Sequence, residues 1–407
     1  AVAQCNLGFF YYRGISVAED NDQAFHWFSQ AAQQGYPRAL HLLGECYSHG
    51  YGTEQDLKKA FDHFQQAVDK GHIPAYATLG LCYESGDGVE MDKAKAAELY
   101  RQGAQRGDAV AQCNLAFFYY HGISVPEDND QAFHWFSQAA QQGYPRAVFF
   151  QGECYLYGYG AEKDERQAAD CFQRAMELGY LPAFASLGLC YELGRGVPED
   201  KQKAAELYRK GAEQGDRVAQ CNLGFFYYRG IAVKEDNDQA VEWFTRSAEQ
   251  GYARAQDLLG DCYYYGYGVP KDLAKAAEQY RQSADREHSA GLFDYGYCLE
   301  HGEGVPKDLA KALDCYRRSA DRGNTDGMYR LGLMLRDGIG VRPDPEQAAQ
   351  WFAKACERGH KDATRALAQC YDTGVGVPKD KKRAKELYQS VGEEKKRSLS
   401  FPWSRRG

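Results

Sequence analysis

An alanine returns every 36 residues, at Ala3, Ala39, Ala75, Ala111, Ala147, Ala183, Ala219 and Ala255, and the ladder runs on through Gly291, Gly327 and Ala363 without an insertion. A fixed period of this length is the signature of stacked supersecondary units, each of which needs its neighbours to bury an apolar face. The fold is thereby constrained before any local propensity is consulted. Eleven units follow A-x-x-x-L-G-x-x-Y-x-x-G-x-G-V-x-x-D-x-x-x-A-x-x-[WFYC]-x-x-x-A-x-x-x-G, on which the sixth places Ala183, Leu187, Gly188, Tyr191, Gly194, Gly196, Val197, Asp200, Ala204 and Gly215 in register.

Apolar residues at i, i+4 and i+8 predict a first helix, A, of about three turns. Glycine at the twelfth position of every unit stops it, because a left-handed C-terminal residue carries no Cβ penalty only in glycine. Six residues later stands an aspartate, from Asp20 to Asp380, whose carboxylate can accept from the free N–H groups of a second helix, B. Helix B has alanine at the twenty-second position and a bulky residue three later, expected to fill the gap beside the small ones: Trp27, Trp135, Trp243 and Trp351 in four units. A glycine closes nine units.

These residues resemble the Sel-one-like repeat (SLR) family, a relative of the tetratricopeptide repeat with a longer turn between its helices. The resemblance covers residues 1–392 as one solenoid, with units starting at 3, 39, 75, 111, 147, 183, 219, 255, 291, 327 and 363, and leaves 393–407 as a basic tail. It implies an all-α, superhelical α/α solenoid, tetratricopeptide-like, and a non-enzymatic scaffold or adaptor that binds a protein or peptide in a groove formed by the A helices. Some relatives act as immunity-type inhibitors of a bacterial toxin or lipase effector, and some cysteine-rich ones are described as β-lactamases. This chain has no Ser-x-x-Lys motif for the hydrolase reading.

Composition agrees with an interaction array. A net charge of −8 with scattered lysine and arginine offers no basic stripe for nucleic acid. No apolar run approaches the roughly 18 residues that span a bilayer. The chain opens at Ala1, inside a repeat, which leaves a leader or capping element upstream an open matter. No C-x-x-C or H-E-x-x-H occurs and the ten histidines are unclustered, so neither metal nor cofactor is expected. The glycine-rich turns follow no strand and lack the phosphate-loop pattern.

A second period of 108 residues overlies the first. Residues 1–39 and 109–147 differ only at Gly8/Ala116, Arg13/His121 and Ala18/Pro126, and units two, five and eight share a Gly-Tyr-Gly turn. A three-unit cassette has been multiplied, either by recent duplication alone or with a ligand surface retained at units one, four and seven.

With positions one, five and nine directed to the core, positions three, seven, ten and eleven of helix A are expected to face a groove. They are aromatic in blocks: Phe9, Tyr12 and Arg13; Phe117, Tyr120 and His121; Phe225, Tyr228 and Arg229; then Phe149 with Tyr157, Tyr264 with Tyr265, and Phe293 with Tyr297. Glu45, Glu153 and Asp261 place a carboxylate at the seventh position. Rigid rings with spaced acids suit a peptide or helix carrying basic and apolar residues. The alternative, that the rings pack between successive A helices, stays open at this level.

Thirteen cysteines are an odd number. Only Cys154 with Cys171 and Cys298 with Cys315, seventeen residues apart across one hairpin, have a separation a disulfide could bridge. Disulfide-stapled relatives carry a pair in every repeat, which this chain does not. Buried reduced thiols, and with them a reducing, cytoplasmic compartment, are favoured. Glu287, Gly291 and Gly327 break the pattern and predict looser packing or a bend there. In the tail, Lys395, Lys396, Arg397, Arg405 and Arg406 flank Phe401-Pro402-Trp403, a frayed end or a docking segment.

Overall fold

A computed structural model describes residues 1–392, so the basic tail lies outside the described residues. The chain divides into two compact units, Ala1–Ala204 and a second from Ala205. Among the described residues all regular structure is helical. In the first unit the hairpins are α1 (Val2–Arg13) with α2 (Asn21–Gln33), α3 (Pro37–His49) with α4 (Leu57–Asp69), α5 (Ile73–Ser85) with α6 (Lys93–Gln105), α7 (Ala109–His121) with α8 (Asn129–Gln141), and α9 (Pro145–Tyr157) with α10 (Glu165–Glu177), followed by α11 (Ala183–Leu193). Helix α12 (Lys201–Glu213) contains the boundary. The second unit pairs α13 (Arg217–Arg229) with α14 (Asn237–Glu249), α15 (Ala253–Tyr265) with α16 (Leu273–Asp285), α17 (Ser289–His301) with α18 (Leu309–Asp321), α19 (Thr325–Asp337) with α20 (Pro345–Glu357), and α21 (Lys361–Thr373) with α22 (Lys381–Ser390).

Local rules set the helix ends. The twelfth-position glycines all have φ between 61° and 85°, as a left-handed stop requires. Each aspartate at the eighteenth position accepts from a backbone N–H of the following helix, at 2.9 Å from Gln23 to Asp20 and from Lys203 to Asp200. Those bonds favour the charged form, and they hold Asp56, Asp92, Asp164 and Asp308 below the ordinary carboxylate value.

Packing within a hairpin is a ring against a glycine. The glycine at the sixth position of helix A faces the aromatic at the twenty-sixth of helix B, and a Cβ placed on Gly44 would stand 2.5 Å from Phe64. Gly80 with Tyr100 and Gly332 with Phe352 repeat the arrangement at the same distance. This corrects the expectation for helix B: the gap is filled by Phe28, Phe136, Phe244 and Phe352, all almost fully buried, one residue after the tryptophans. Trp243 is buried, 8% exposed, as expected, whereas Trp27, Trp135 and Trp351 stay half-buried, and Trp351 carries Lys354 over its face at 3.9 Å.

The irregular units are not loose. A Cβ on Gly291 would lie 2.2 Å from Ser283 Oγ, and one on Gly327 2.6 Å from Ser319 Oγ. At these two steps the ladder residue has no methyl group to set against the serine, and Ser283 donates to the Ala253 carbonyl at 2.8 Å. Glu287, at φ 62°, ion-pairs with Arg318 and Arg322, both at 2.6 Å. Replacing Gly291 by alanine is expected to lower the unfolding free energy by about 1–3 kcal/mol through overpacking. Adding Ser283→Ala, which recreates the Ala31–Ala39 pairing of the first unit, should recover most of it. A double-mutant cycle in urea measures the coupling, and simple additivity would refute it.

All thirteen cysteines are free, which removes the two proposed bridges. The reason is rotation about helix A. Cys171 packs its Cβ 3.0 Å from the position of a Cβ on Gly152, and Cys315 does so at 3.2 Å on Gly296. Cys154 and Cys298 lie two residues further along, about 200° around the helix.

Candidate binding face on the A helices

The third position of helix A does not face a groove. It is buried in the seam between successive hairpins, where His41 bonds Thr78 Oγ1 of the next hairpin at 2.8 Å. Phe149 and Phe293 therefore belong to the core, 8% and 3% exposed. Phe149 packs on Phe172 and Tyr180 with ring centres 5.3 and 5.1 Å away, and Phe293 on Tyr316 at 5.6 Å. The other sequence-derived residues sit at the C-terminal halves of the A helices, partly or fully exposed.

In the first unit they form two equivalent clusters. Tyr12 on α1 meets Tyr51, just past the end of α3, at 5.8 Å, and Tyr51 stacks on His49 at 5.1 Å. Glu45 lies beside them, its carboxyl raised above the ordinary value by burial, with His49 opposing, and it in turn helps to raise the Tyr12 phenol, itself shifted mainly by burial. Tyr120 on α7 meets Tyr159 at 5.7 Å, and Tyr159 stacks on Tyr157 at 5.6 Å. Burial alone pushes Glu153 up to about 7. The phenylalanines are partly claimed by the protein's own cations. Arg38 lies 4.9 Å over Phe9 and Arg146 5.0 Å over Phe117, with Asn114 accepting from Arg146 at 3.3 Å. Arg13 and His121 are exposed, the latter against Phe117 at 4.2 Å.

The second unit repeats the cluster with Tyr228 on α13 and Tyr267 after α15, 5.7 Å apart, and Tyr265 stacked on Tyr267 at 5.5 Å. Arg254 lies 5.5 Å over Phe225, and Arg229 is exposed. Asp261 accepts from the Tyr280 hydroxyl at 2.7 Å, and Glu303 from Tyr264 at 2.6 Å. A cavity of about 230 Å³ opens there, lined by Asp261, Tyr264, Tyr265, Tyr280, Asp294 and Tyr297.

Sequence reasoning missed Tyr51, Tyr159 and Tyr267. Their signal was the Gly-Tyr-Gly turn that recurs every 108 residues. It also missed Tyr280 and Asp294; the sign there is that a tyrosine replacing phenylalanine at the twenty-sixth position finds an acid on helix A, as Tyr100 finds Glu84 and Tyr316 finds Glu300. Chemically, the face offers flat amphipathic rings and carboxylates in a partly dry setting. Among the described residues there is no group of acids, histidines and cysteines that could hold a metal ion, and no helix is long and apolar enough to cross a membrane.

Comparisons with known proteins agree with this architecture. A solved structure of a protective antigen of uropathogenic Escherichia coli strains, displaying an SLR fold, is 32% identical, matching 96% of this chain and 84% of its own with a TM-score of 0.63. A Sel1 repeat protein of Oxalobacter formigenes is 29% identical over 60% of this chain and 96% of its own, with a TM-score of 0.52. An immunity protein of Pseudomonas aeruginosa matches at 22% identity over 51% of this chain and 81% of its own; its TM-score of 0.37 is too low to bear on function. No curated protein matches the chain. The Sel1 repeat model matches residues 1–36, 37–72, 73–108, 109–144, 145–180, 185–216, 217–252, 253–288, 289–324, 325–360 and 361–390. Repeated eleven times with its glycine stops and aspartate caps in place, this hairpin makes the chain a member of the Sel1 repeat family.

Proposed function

We propose that the protein is a non-enzymatic scaffold whose A-helix faces hold a segment of a protein partner carrying apolar and basic residues. Sel1 repeat proteins generally mediate protein–protein interaction. The observation that carries the finer reading is the cluster of two tyrosines and one carboxylate that returns on this face: Tyr12, Tyr51 and Glu45, then Tyr120, Tyr159 and Glu153, then Tyr228, Tyr267 and Asp261. The fold needs none of these groups at those positions, since other units carry serine, glutamate or leucine there. Exposed rings of low rotamer entropy are the usual anchors of protein interfaces.

Burial supports the absence of nucleophilic chemistry. It pushes the thiols of Cys46, Cys113, Cys154, Cys221, Cys262 and Cys298 up to about 12, so little thiolate exists at neutral pH. The inhibitor and hydrolase readings have no observation of their own in their favour.

Replacing Tyr12, Tyr120 and Tyr228 together by alanine is expected to abolish partner capture, read by affinity purification and mass spectrometry, while the melting temperature changes little. Undiminished capture with a melting temperature several degrees lower would make these rings packing residues and end the proposal.

A further inference from the structure

The cavity at the second unit's A-helix face has a chemistry of its own. It lies where α15 and α17 come together, and its lining holds four tyrosines, Tyr264, Tyr265, Tyr280 and Tyr297, with the carboxylates of Asp261 and Asp294. No lysine, arginine or histidine is among the lining residues. Asp294 is 8% exposed, and a third acid, Asp257, stands one turn before Asp261 on α15 and is 5% exposed. The field of these acids is felt by the Tyr280 phenol. Burial first, then Asp261 and Asp294, raise it far above its ordinary value.

We propose that this cavity receives one basic side chain, an arginine, from the bound partner; the inference rests on the reading that the A-helix faces bind protein. Size is the first argument. A volume of about 230 Å³ falls below the roughly 300–1,000 Å³ of pockets that enclose whole small ligands, and suits a single side chain. The second argument is the wall. A guanidinium is planar and weakly hydrated and stacks on aromatic faces, which four phenol rings provide. Charge is the third, because a cation within reach of Asp261 and Asp294 gains charge-assisted hydrogen bonds in a partly desolvated site. The walls are also held before any ligand arrives, Tyr280 by Asp261 at 2.7 Å and Tyr264 by Glu303 at 2.6 Å, so binding orders few side chains. Lys271, whose ammonium lies 5.4 Å from the Tyr264 ring, is not among the lining residues.

Two measurements on the full chain test this. In the first, N-acetyl-arginine amide and its neutral isostere N-acetyl-citrulline amide are titrated and followed by NMR. Saturable millimolar binding of the arginine compound is expected, with citrulline at least about tenfold weaker, a difference near 1.4 kcal/mol. Asp261→Asn, which keeps an acceptor for Tyr280, and Asp294→Asn should each weaken arginine binding by a similar factor. Tyr265→Ala should weaken it severalfold; that ring is 49% exposed, so this variant keeps the test open if an aspartate variant fails to fold. Equal binding of the two compounds, no saturable binding, or folded variants that bind like the wild type would each overturn the proposal.

In the second measurement a random peptide library is selected on the wild type and on Tyr265→Ala. Peptides with arginine at one fixed position, lost on the variant, support the cavity. Peptides that bind without a basic residue and are displaced by no arginine compound overturn the cavity alone and leave the broader binding face standing. A wild type that selects nothing overturns both.

Discussion

Replacing Phe352 by alanine is expected to lower stability by about 3–5 kcal/mol, while Trp351→Ala, one residue earlier on the same helix, costs less than half as much. Phe352 is fully buried at the centre of a cluster with Leu331, Met334, Ala348 and Ala363, and its ring lies against Gly332 so closely that a Cβ there would stand 2.5 Å away. The loss has two parts, the transfer free energy of the ring and the cavity it leaves. That cavity cannot collapse easily, since the facing residue is already a glycine. Trp351 is half-buried, and its face is covered by Lys354. Urea unfolding of the two variants measures the difference. A larger loss for Trp351→Ala would show that the indole, and not the ring on glycine, holds the hairpin together.

Acidification is expected to unfold the first unit through His41, and His41→Phe should move the acid transition to lower pH. The imidazole is buried, bonded to Thr78, 5.1 Å from the His72 ring and 4.0 Å from a Glu45 carboxylate oxygen. Burial first, then His72, lower its pKa from 6.5 to about 4. The folded state therefore refuses a proton that the unfolded chain accepts. Stability contributed by the neutral ring is intact above pH 6.5, declines as pH falls below that value, and is fully lost near pH 4. The gap corresponds to about 3 kcal/mol at its full extent. Phenylalanine fits by precedent, because Phe149 occupies the same register three hairpins along in α9. Far-ultraviolet circular dichroism between pH 7 and 3 checks this. Coincident acid transitions in wild type and H41F would exclude His41 as the trigger.

The periodicity, the glycine stops and the aspartate caps were legible because each is enforced within one hairpin, by a dihedral angle or a free N–H. What could not be read is which of two adjacent aromatics points inward. Trp351 and Phe352 differ by 100° around a helix, and that choice is made by the position of Gly332 on the partner helix. The same difficulty placed Phe149 and Phe293 in the groove. The third position of helix A is polar or small in several units, which disguises a register that packing makes interior. Of the candidate face, Tyr12, Tyr120 and Tyr228 were found from helical phase alone. Their partners Tyr51, Tyr159 and Tyr267 lie beyond the glycine stop, where helical phase no longer applies. The paired cysteines failed for a related reason. Seventeen residues bring two helices side by side but do not decide which faces meet, and Cys171 met a glycine.

Helices α2 and α8 are the same thirteen residues, NDQAFHWFSQAAQ, yet α2 packs against PRALHLLGECYSH of α3 and α8 against PRAVFFQGECYLY of α9. One surface thus already fits two different successors. The junction QQGYPRA is identical at residues 33–39 and 141–147, so a genetic exchange between the two copies would excise 108 residues and leave every remaining hairpin with a neighbour it is built to accept. Such an excision would shorten the array by three hairpins and take with it one whole tyrosine–carboxylate cluster.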